Sequence, residues 1–156
     1  MAGIDPEELR ESETTERKER LNSKALKTLS AFANTKGGSL YIGIKDDATL
    51  LSHRISDHAQ QDIVNKIVNR LHIIPEVILH SYKGDEFLEV KVRKSDRPVS
   101  YNGKYYRRSG NTTRELDEEG LRALFLKNVA WDSQTDDRLS VDEMDDTSWT
   151  QIIAKA

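Results

Sequence analysis

Ala31-Phe-Ala-Asn-Thr-Lys-Gly-Gly-Ser-Leu-Tyr-Ile-Gly-Ile-Lys-Asp46 reads as the end of a helix, a two-glycine reversal, a buried strand and an acidic turn. Upstream, Leu21, Ala25, Leu29, Phe32 and Ala33 recur at the spacing of a helix with one apolar face. Asn34 and the pair Gly37-Gly38 stop that helix, because glycine reaches positive φ without steric cost and so suits a C-cap followed by a sharp reversal. Leu40, Ile42 and Ile44 then alternate with Tyr41, Gly43 and Lys45, the pattern of a strand packed under a helix. Gly43 leaves bare backbone, where either a neighbouring element or a ligand approaches.

Working outward, Met1 to Arg10 is a polar arm in which Asp5-Pro6-Glu7-Glu8 predicts a capped helical turn. Glu11 to Arg20 carries no apolar period and by itself reads as a solvated arm. Downstream, Asp46 to Thr49 is a turn, and Leu50-Leu51 begins a short return strand. Ser56 caps a helix whose apolar residues are Ala59, Ile63, Val64, Ile67, Val68 and Leu71, and Pro75 prevents its continuation. Val77 to Tyr82 and Phe87 to Val92 make a hairpin around Lys83-Gly84-Asp85-Glu86. Pro98 to Tyr101 and Lys104 to Arg107 make another around Asn102-Gly103, the pair best suited to a type I′ turn. Asp117 caps a last helix with Glu118 and Glu119 in its first turn and an apolar stripe of Leu121, Leu124, Phe125 and Val129. The acidic run beyond Trp131 reads as a linker, with one short amphipathic turn at Trp149, Ile152 and Ile153. The order of arm, helix, strand, helix, hairpin, hairpin, helix predicts a two-layer α+β domain with helices packed on a mostly antiparallel or mixed sheet. The predicted boundaries are an arm over 1–10, a domain over 11–130 and an acidic tail, or linker to a further domain, over 131–156.

Composition narrows the function classes. Charged residues make up 33% of the 156, yet the net charge is only −3, so this is no polycation. Residues 131–156 hold seven acids and two bases, leaving 20 acids and 22 bases ahead of them. Any nucleic-acid surface must therefore come from local clustering. With no cysteine, disulfides and thiolate metal sites are excluded. No apolar run approaches the ~20 residues that span a bilayer, and no signal-peptide core is present, so the default expectation is a cytoplasmic protein.

The quoted stretch, continued to Asp47, resembles the core signature of the Schlafen AlbA-type domain. Glu11-Ser-Glu-Thr-Thr-Glu16-Arg-Lys18 resembles that family's E-x-x-x-x-E-F-K segment, and Lys104-Tyr-Tyr-Arg-Arg-Ser-Gly-Asn-Thr-Thr113 resembles its YxRxGSxT segment. All three come in the family's order, spanning roughly Glu11 to Val129. Arg17 departs from an apolar position, and Ala48 and Ser52 stand where glycines are common. The resemblance implies an AlbA-like fold, with Glu11 to Arg20 as an extended edge piece. Members carry labels such as divergent AAA ATPase, RecG-related helicase or transcriptional regulator, and the family pairs two such domains, which for one copy implies a homodimer.

Two constellations could carry chemistry. Glu11, Glu16 and Asp46 match positions that form a metal-binding acidic trio in nuclease members, and converging carboxylates suit Mg²⁺ or Mn²⁺. Glu11 and Glu16 are five apart, so they face the same way only if the segment bends, and Glu13 is an equally good strand-face partner for Glu11. The second constellation is basic and aromatic: Lys104, Tyr105, Tyr106, Arg107, Arg108 and Arg114. Guanidinium groups grip phosphate and tyrosines stack on unpaired bases. Alternation puts Tyr105 and Arg107 on one face and Tyr106 and Arg108 on the other, so only one pair faces a ligand while the other packs inside. Lys24, Lys27, Lys36 and Lys45 extend the stripe if they share its side.

Other chemistries find little footing. Lys36-Gly37-Gly38 closes a helix and opens a strand, the reverse of a phosphate loop, so ATPase or helicase activity is not expected of this chain. His53, His58, His72 and His80 lack metal-ligand spacing, and no G-x-S-x-G elbow occurs. The leading expectation is a module that binds RNA or single-stranded DNA. The alternatives are a metal-dependent endoribonuclease using the acidic trio and a dimerising protein-interaction scaffold.

Overall fold

Helix α1 (Ser23–Asn34) buries eight of its residues in the computed structural model, which describes residues 4–135 with side chains through Lys127. Asn22 caps the helix, its Oδ1 accepting from the Ala25 N–H at 2.9 Å. The expected apolar face is there, but Thr28, Ser30 and Ala31 are buried as well. The reason is that α1 is covered on two sides. Leu40, Ile42, Leu88 and Val90 meet it from one sheet, and Val99, Tyr101 and Tyr106 from a second.

The first sheet has the order β1 (Thr15–Lys18), β2 (Gly38–Ile42), β4 (Asp85–Val92), β3 (Glu76–Tyr82). β1 runs parallel to β2, and the other pairings are antiparallel. The second is a three-stranded antiparallel meander of β5 (Ser100–Tyr101), β6 (Lys104–Ser109) and β7 (Thr112–Glu115). Helix α2 (Asp57–Leu71) is capped by Ser56 and buries Ile67 and Leu71, and α3 (Glu118–Thr135) closes the described chain. The α+β expectation holds. No helix among the described residues is long and apolar enough to cross a membrane.

Both predicted hairpin turns form with positive φ at their two central residues, Lys83-Gly84 and Asn102-Gly103. The strand β7 and the parallel strand β1 are not legible from periodicity, because neither carries an apolar alternation. The sequence Leu50-Leu51 gives isolated bridges, Ile44 with Leu50 and Ser52 with Glu86, in place of a strand. Ala48, at the position where a turn glycine is common, does adopt a left-handed φ of 71°. The stripe on α3 is shallower than its periodicity suggests: Leu121 and Leu124 are half-buried and Phe125 is 42% exposed. The helix also runs past Trp131 to Thr135. Val129 and the Trp149, Ile152 and Ile153 turn lie outside the described side chains.

The twin glycines are required by close approach. A Cβ on Gly37, at φ 80°, would stand 2.9 Å from the Val92 carbonyl oxygen, and one on Gly38 would stand 2.7 Å from that of Thr14 and 2.9 Å from the Phe32 ring. The reversal thus brings the start of β2 against both the β1 segment and the end of β4. Gly43 is different: a Cβ there would make only ordinary contact with Phe87, so its φ of 100° is what calls for glycine, and the approaching group is a neighbouring strand.

Candidate nucleic-acid interface

Strand β6 presents two unlike faces, as alternation requires. Tyr106 and Arg108 point inward. The Arg108 side chain is among the most buried in the chain, with the residue only 2% exposed. Its Nε and Nη2 donate to the Ser12 carbonyl at 3.2 and 2.9 Å, Nη2 donates to the Thr15 carbonyl at 3.2 Å and to Glu16 Oε1 at 2.6 Å, and Nη1 donates to Thr113 Oγ1 at 3.0 Å. The guanidinium also lies 5.1 Å from the centre of the Phe32 ring. An arginine this buried survives only when its donors are satisfied and its charge is paired, and here both conditions are met. As placed, Arg108 is an internal staple and has no face left for phosphate, which corrects its expected place among the ligand-binding residues.

What the staple holds is the segment expected as a solvated arm. The Ser12 N–H donates to the Thr15 carbonyl at 2.9 Å, so the chain reverses over Glu13 and Thr14 before entering β1. That bend brings Glu11 beside Glu16. Burial, then the hydrogen bond and charge of Glu16, hold the Glu11 carboxyl above its ordinary value. Two of the three predicted acids therefore meet. Glu16 is buried, with Arg108 on one oxygen and Lys18 at 3.5 Å from the other. Asp46 stands exposed in the turn after β2, and no group of three His, Cys, Asp or Glu residues close enough to hold a metal ion occurs among the described residues. With both Glu16 oxygens already facing cations, this donor set does not fit Mg²⁺ or Mn²⁺, which call for several free oxygen ligands.

Asn34, read from sequence only as a helix stop, also joins the two halves of the domain. Its Nδ2 donates to the carbonyls of Val99 at 2.8 Å and Tyr106 at 2.9 Å, while its Oδ1 accepts from the Val99 N–H at 2.7 Å. Thr35 Oγ1 accepts from the Arg108 N–H at 2.9 Å. These bonds fix β6 against the end of α1. No sequence signal identifies them, since each partner lies more than sixty residues away.

The outer face of the hairpin carries Tyr105, Arg107 and Arg114. Arg107 and Arg114 are direct cross-strand partners and both are exposed. Neither has an ion-pair partner among the described residues. Like charges set opposite each other across a ladder are destabilising, so the two guanidinium groups repel across the hairpin. Tyr105 is covered edge-on by Phe125 of α3, ring centres 5.4 Å apart, and is not free to stack on a base. Lys104 reaches Glu115 at 3.6 Å. On the inner side Lys27 lies 5.7 Å from the centre of the Tyr106 ring, and burial holds the Tyr106 hydroxyl above its ordinary pKa.

One solved structure of moderate similarity shares this architecture. The structure of the DIP2311 protein from Corynebacterium diphtheriae is similar, at a TM-score of 0.56 and 19% identity, over 67% of this chain and 25% of that one. The solution structure of the N-terminal domain of a putative ATP-dependent DNA helicase RecG-related protein from Nitrosomonas europaea gives a TM-score of 0.46 at 22% identity, over 69% of this chain and 85% of that one. This chain thus corresponds to about a quarter of the length of the first. No curated protein matches the sequence. The family described as Schlafen, AlbA_2 matches residues 11–117. That span runs from the carboxylate beside Glu16 to the start of α3 and takes in every strand of both sheets, so the chain belongs to the Schlafen AlbA_2 family.

Proposed function

We propose that this chain is a nucleic-acid-binding module that holds phosphates of RNA or single-stranded DNA on the outer face of the β6–β7 hairpin. The observation that carries the reading is the exposed Arg107–Arg114 pair, two guanidinium groups in register with no ion-pair partner among the described residues. A phosphate between them relieves their repulsion and accepts hydrogen bonds from both. Lys104 shares the parity of Tyr106 and Arg108 and pairs with Glu115, so it does not belong to this surface. Arg108, Tyr106 and Asn34 serve the reading indirectly, by keeping the hairpin rigid on α1.

Binding of a fluorescein-labelled single-stranded oligonucleotide, followed by anisotropy over a salt series, tests this. Affinity falls steeply with salt, and Arg107→Ala with Arg114→Ala lowers the slope of log K against log salt by about 0.7 for each phosphate no longer held. A wild-type protein that fails to bind at low salt, or a double variant that binds like wild type, overturns the proposal.

A further inference from the structure

A cleft of about 1180 Å³ opens where the Gly37-Gly38 reversal meets the C-terminal end of β4 and the connection from α2 to β3. None of Glu11, Glu16, Asp46 or the hairpin residues lines it. Its cations are Lys36, Lys91, Arg93 and Lys94, against Glu76 and Asp96. Lys36 is paired with Glu13 at 2.9 Å. Lys91, Arg93 and Lys94 are exposed and have no ion pair among the described residues, although Glu76 is the direct cross-strand partner of Lys91. With Lys36 paired to Glu13, the three cations left outnumber Glu76 and Asp96 by one, so the cleft carries a small positive excess.

The remaining lining mixes the hydroxyl side chains of Thr14, Thr15, Ser39 and Ser95 with apolar groups. Ile74 is 87% exposed, the highest among the exposed large hydrophobic residues of the described chain. Pro75 and His72, which ends α2 in the left-handed conformation at φ 58°, also line the cleft, as does Tyr41, which is buried. Cations alone would suit any anion, and an exposed apolar residue alone would suit any oily partner. Together they match a ligand with a charged backbone and flat, unpaired bases.

We infer that this cleft is a second nucleic-acid site, which takes single-stranded RNA or DNA with phosphates on Lys91, Arg93 and Lys94 and an unpaired base against His72 and Ile74. The inference shares the class of ligand with the hairpin reading but uses a separate set of residues. Glycine is indispensable at its floor for the packing reasons given above, and that same packing brings the basic end of β4 to the cleft.

The test uses fluorescein-labelled oligouridylate and oligothymidylate of about twelve nucleotides, a length within the range one such groove tracks. Binding is measured for wild type, the cleft variant Arg93→Ala with Lys94→Ala, the hairpin variant Arg107→Ala with Arg114→Ala, and a control, Lys45→Ala with Lys83→Ala. The control removes the same charge at the other end of the sheet. In parallel, a 5-iodouracil-substituted strand is photo-crosslinked to wild type and the attachment sites are mapped. The cleft variant is expected to weaken binding about tenfold, against less than about twofold for the control, with crosslinks on His72. A cleft variant no weaker than the control, with crosslinks confined to the hairpin, overturns the inference and leaves the hairpin reading standing. Loss of binding in the cleft variant alone supports the inference and removes the hairpin reading. No binding by wild type overturns both. Crosslinking is read on the unmutated protein, so the result does not depend on the variants folding.

Discussion

The two faces of β6 carry the same residue types, a tyrosine and an arginine each, and use them in opposite ways. Inside, Arg108 is bonded to two backbone carbonyls, a carboxylate and a hydroxyl, and Tyr106 packs on α1. Outside, Arg107 stands opposite another arginine in solvent. Residue type says nothing about which is which; parity along the strand and the identity of what lies beneath it do. The same guanidinium chemistry stabilises the fold where its partners are internal and offers a binding site where they are absent.

The comparison is broken most directly by removing each arginine in turn. Arg108→Ala leaves Glu16 buried beside Glu11 with one cation fewer, and urea unfolding should show a loss of about 3–5 kcal/mol, as for other broken buried pairs. Arg107→Ala should stay within about 0.5 kcal/mol of wild type, as for ordinary surface changes. Arg108→Lys should not restore stability, because one ammonium cannot reproduce the planar fork that reaches Ser12, Thr15 and Thr113 together. Equal losses at Arg107 and Arg108 would erase the distinction between the faces.

A smaller effect is expected at Asn34, which anchors the inner face. Asn34→Ala frees the Val99 N–H and the carbonyls of Val99 and Tyr106, and should cost about 2 kcal/mol by the same measurement. If hydrogen exchange at Val99 does not speed up in that variant, the anchoring role is wrong.

The four-stranded sheet sharpens the contrast, because there an outward face is not a solvated one. Glu89 points away from α1 yet is buried, bonded by Ser39 Oγ at 2.7 Å and the His80 ring at 2.8 Å. Burial pushes its carboxyl up, but the bonds from Ser39 and His80, the His80 charge and Lys91 outweigh it, and the net direction is down. A carboxyl lowered on folding adds stability above its unfolded pKa of about 4.3 and loses it as pH falls through the folded value. The stability gap between wild type and Glu89→Gln should therefore be about 1 kcal/mol at neutral pH and shrink below pH ~4. A gap that widens on acidification would contradict the assigned shift.

The least change in stability, and the most telling sign, belongs to Arg107→Glu. It turns a cross-strand repulsion into an attraction, so stability should rise by a few tenths of a kcal/mol, on the order of one cross-strand pair. Oligonucleotide affinity should fall in the same protein. Stability and binding moving together would show that the pair is not held at a cost for a ligand.

Much of the fold is legible in the residues alone. The helix ending at Asn34, the type I′ turns at Lys83-Gly84 and Asn102-Gly103, and the Ser56 cap follow from local rules, since φ preferences and capping bonds involve residues within a few positions of each other. Alternation shows that one tyrosine–arginine pair of β6 must be internal. It cannot show which, because that depends on where α1 and the Ser12–Glu16 bend lie relative to the strand. β1 is opaque for a related reason: its residues are charged, and the partner that makes it a strand is β2, more than twenty residues away.

The chain's own order of residues determined the helices, the hairpins and the family, because these rest on short-range stereochemistry and on motifs that can be matched position by position. Only the tertiary structure decided that Glu16 faces Arg108 across ninety-two residues of chain, that Asp46 stands apart from both, and that Lys91, Arg93 and Lys94 share a cleft with Ile74. Whether a charge is paired inside or left facing solvent depends on the approach of distant segments, and that approach exists only once the twin-glycine reversal has set β2 between β1 and β4.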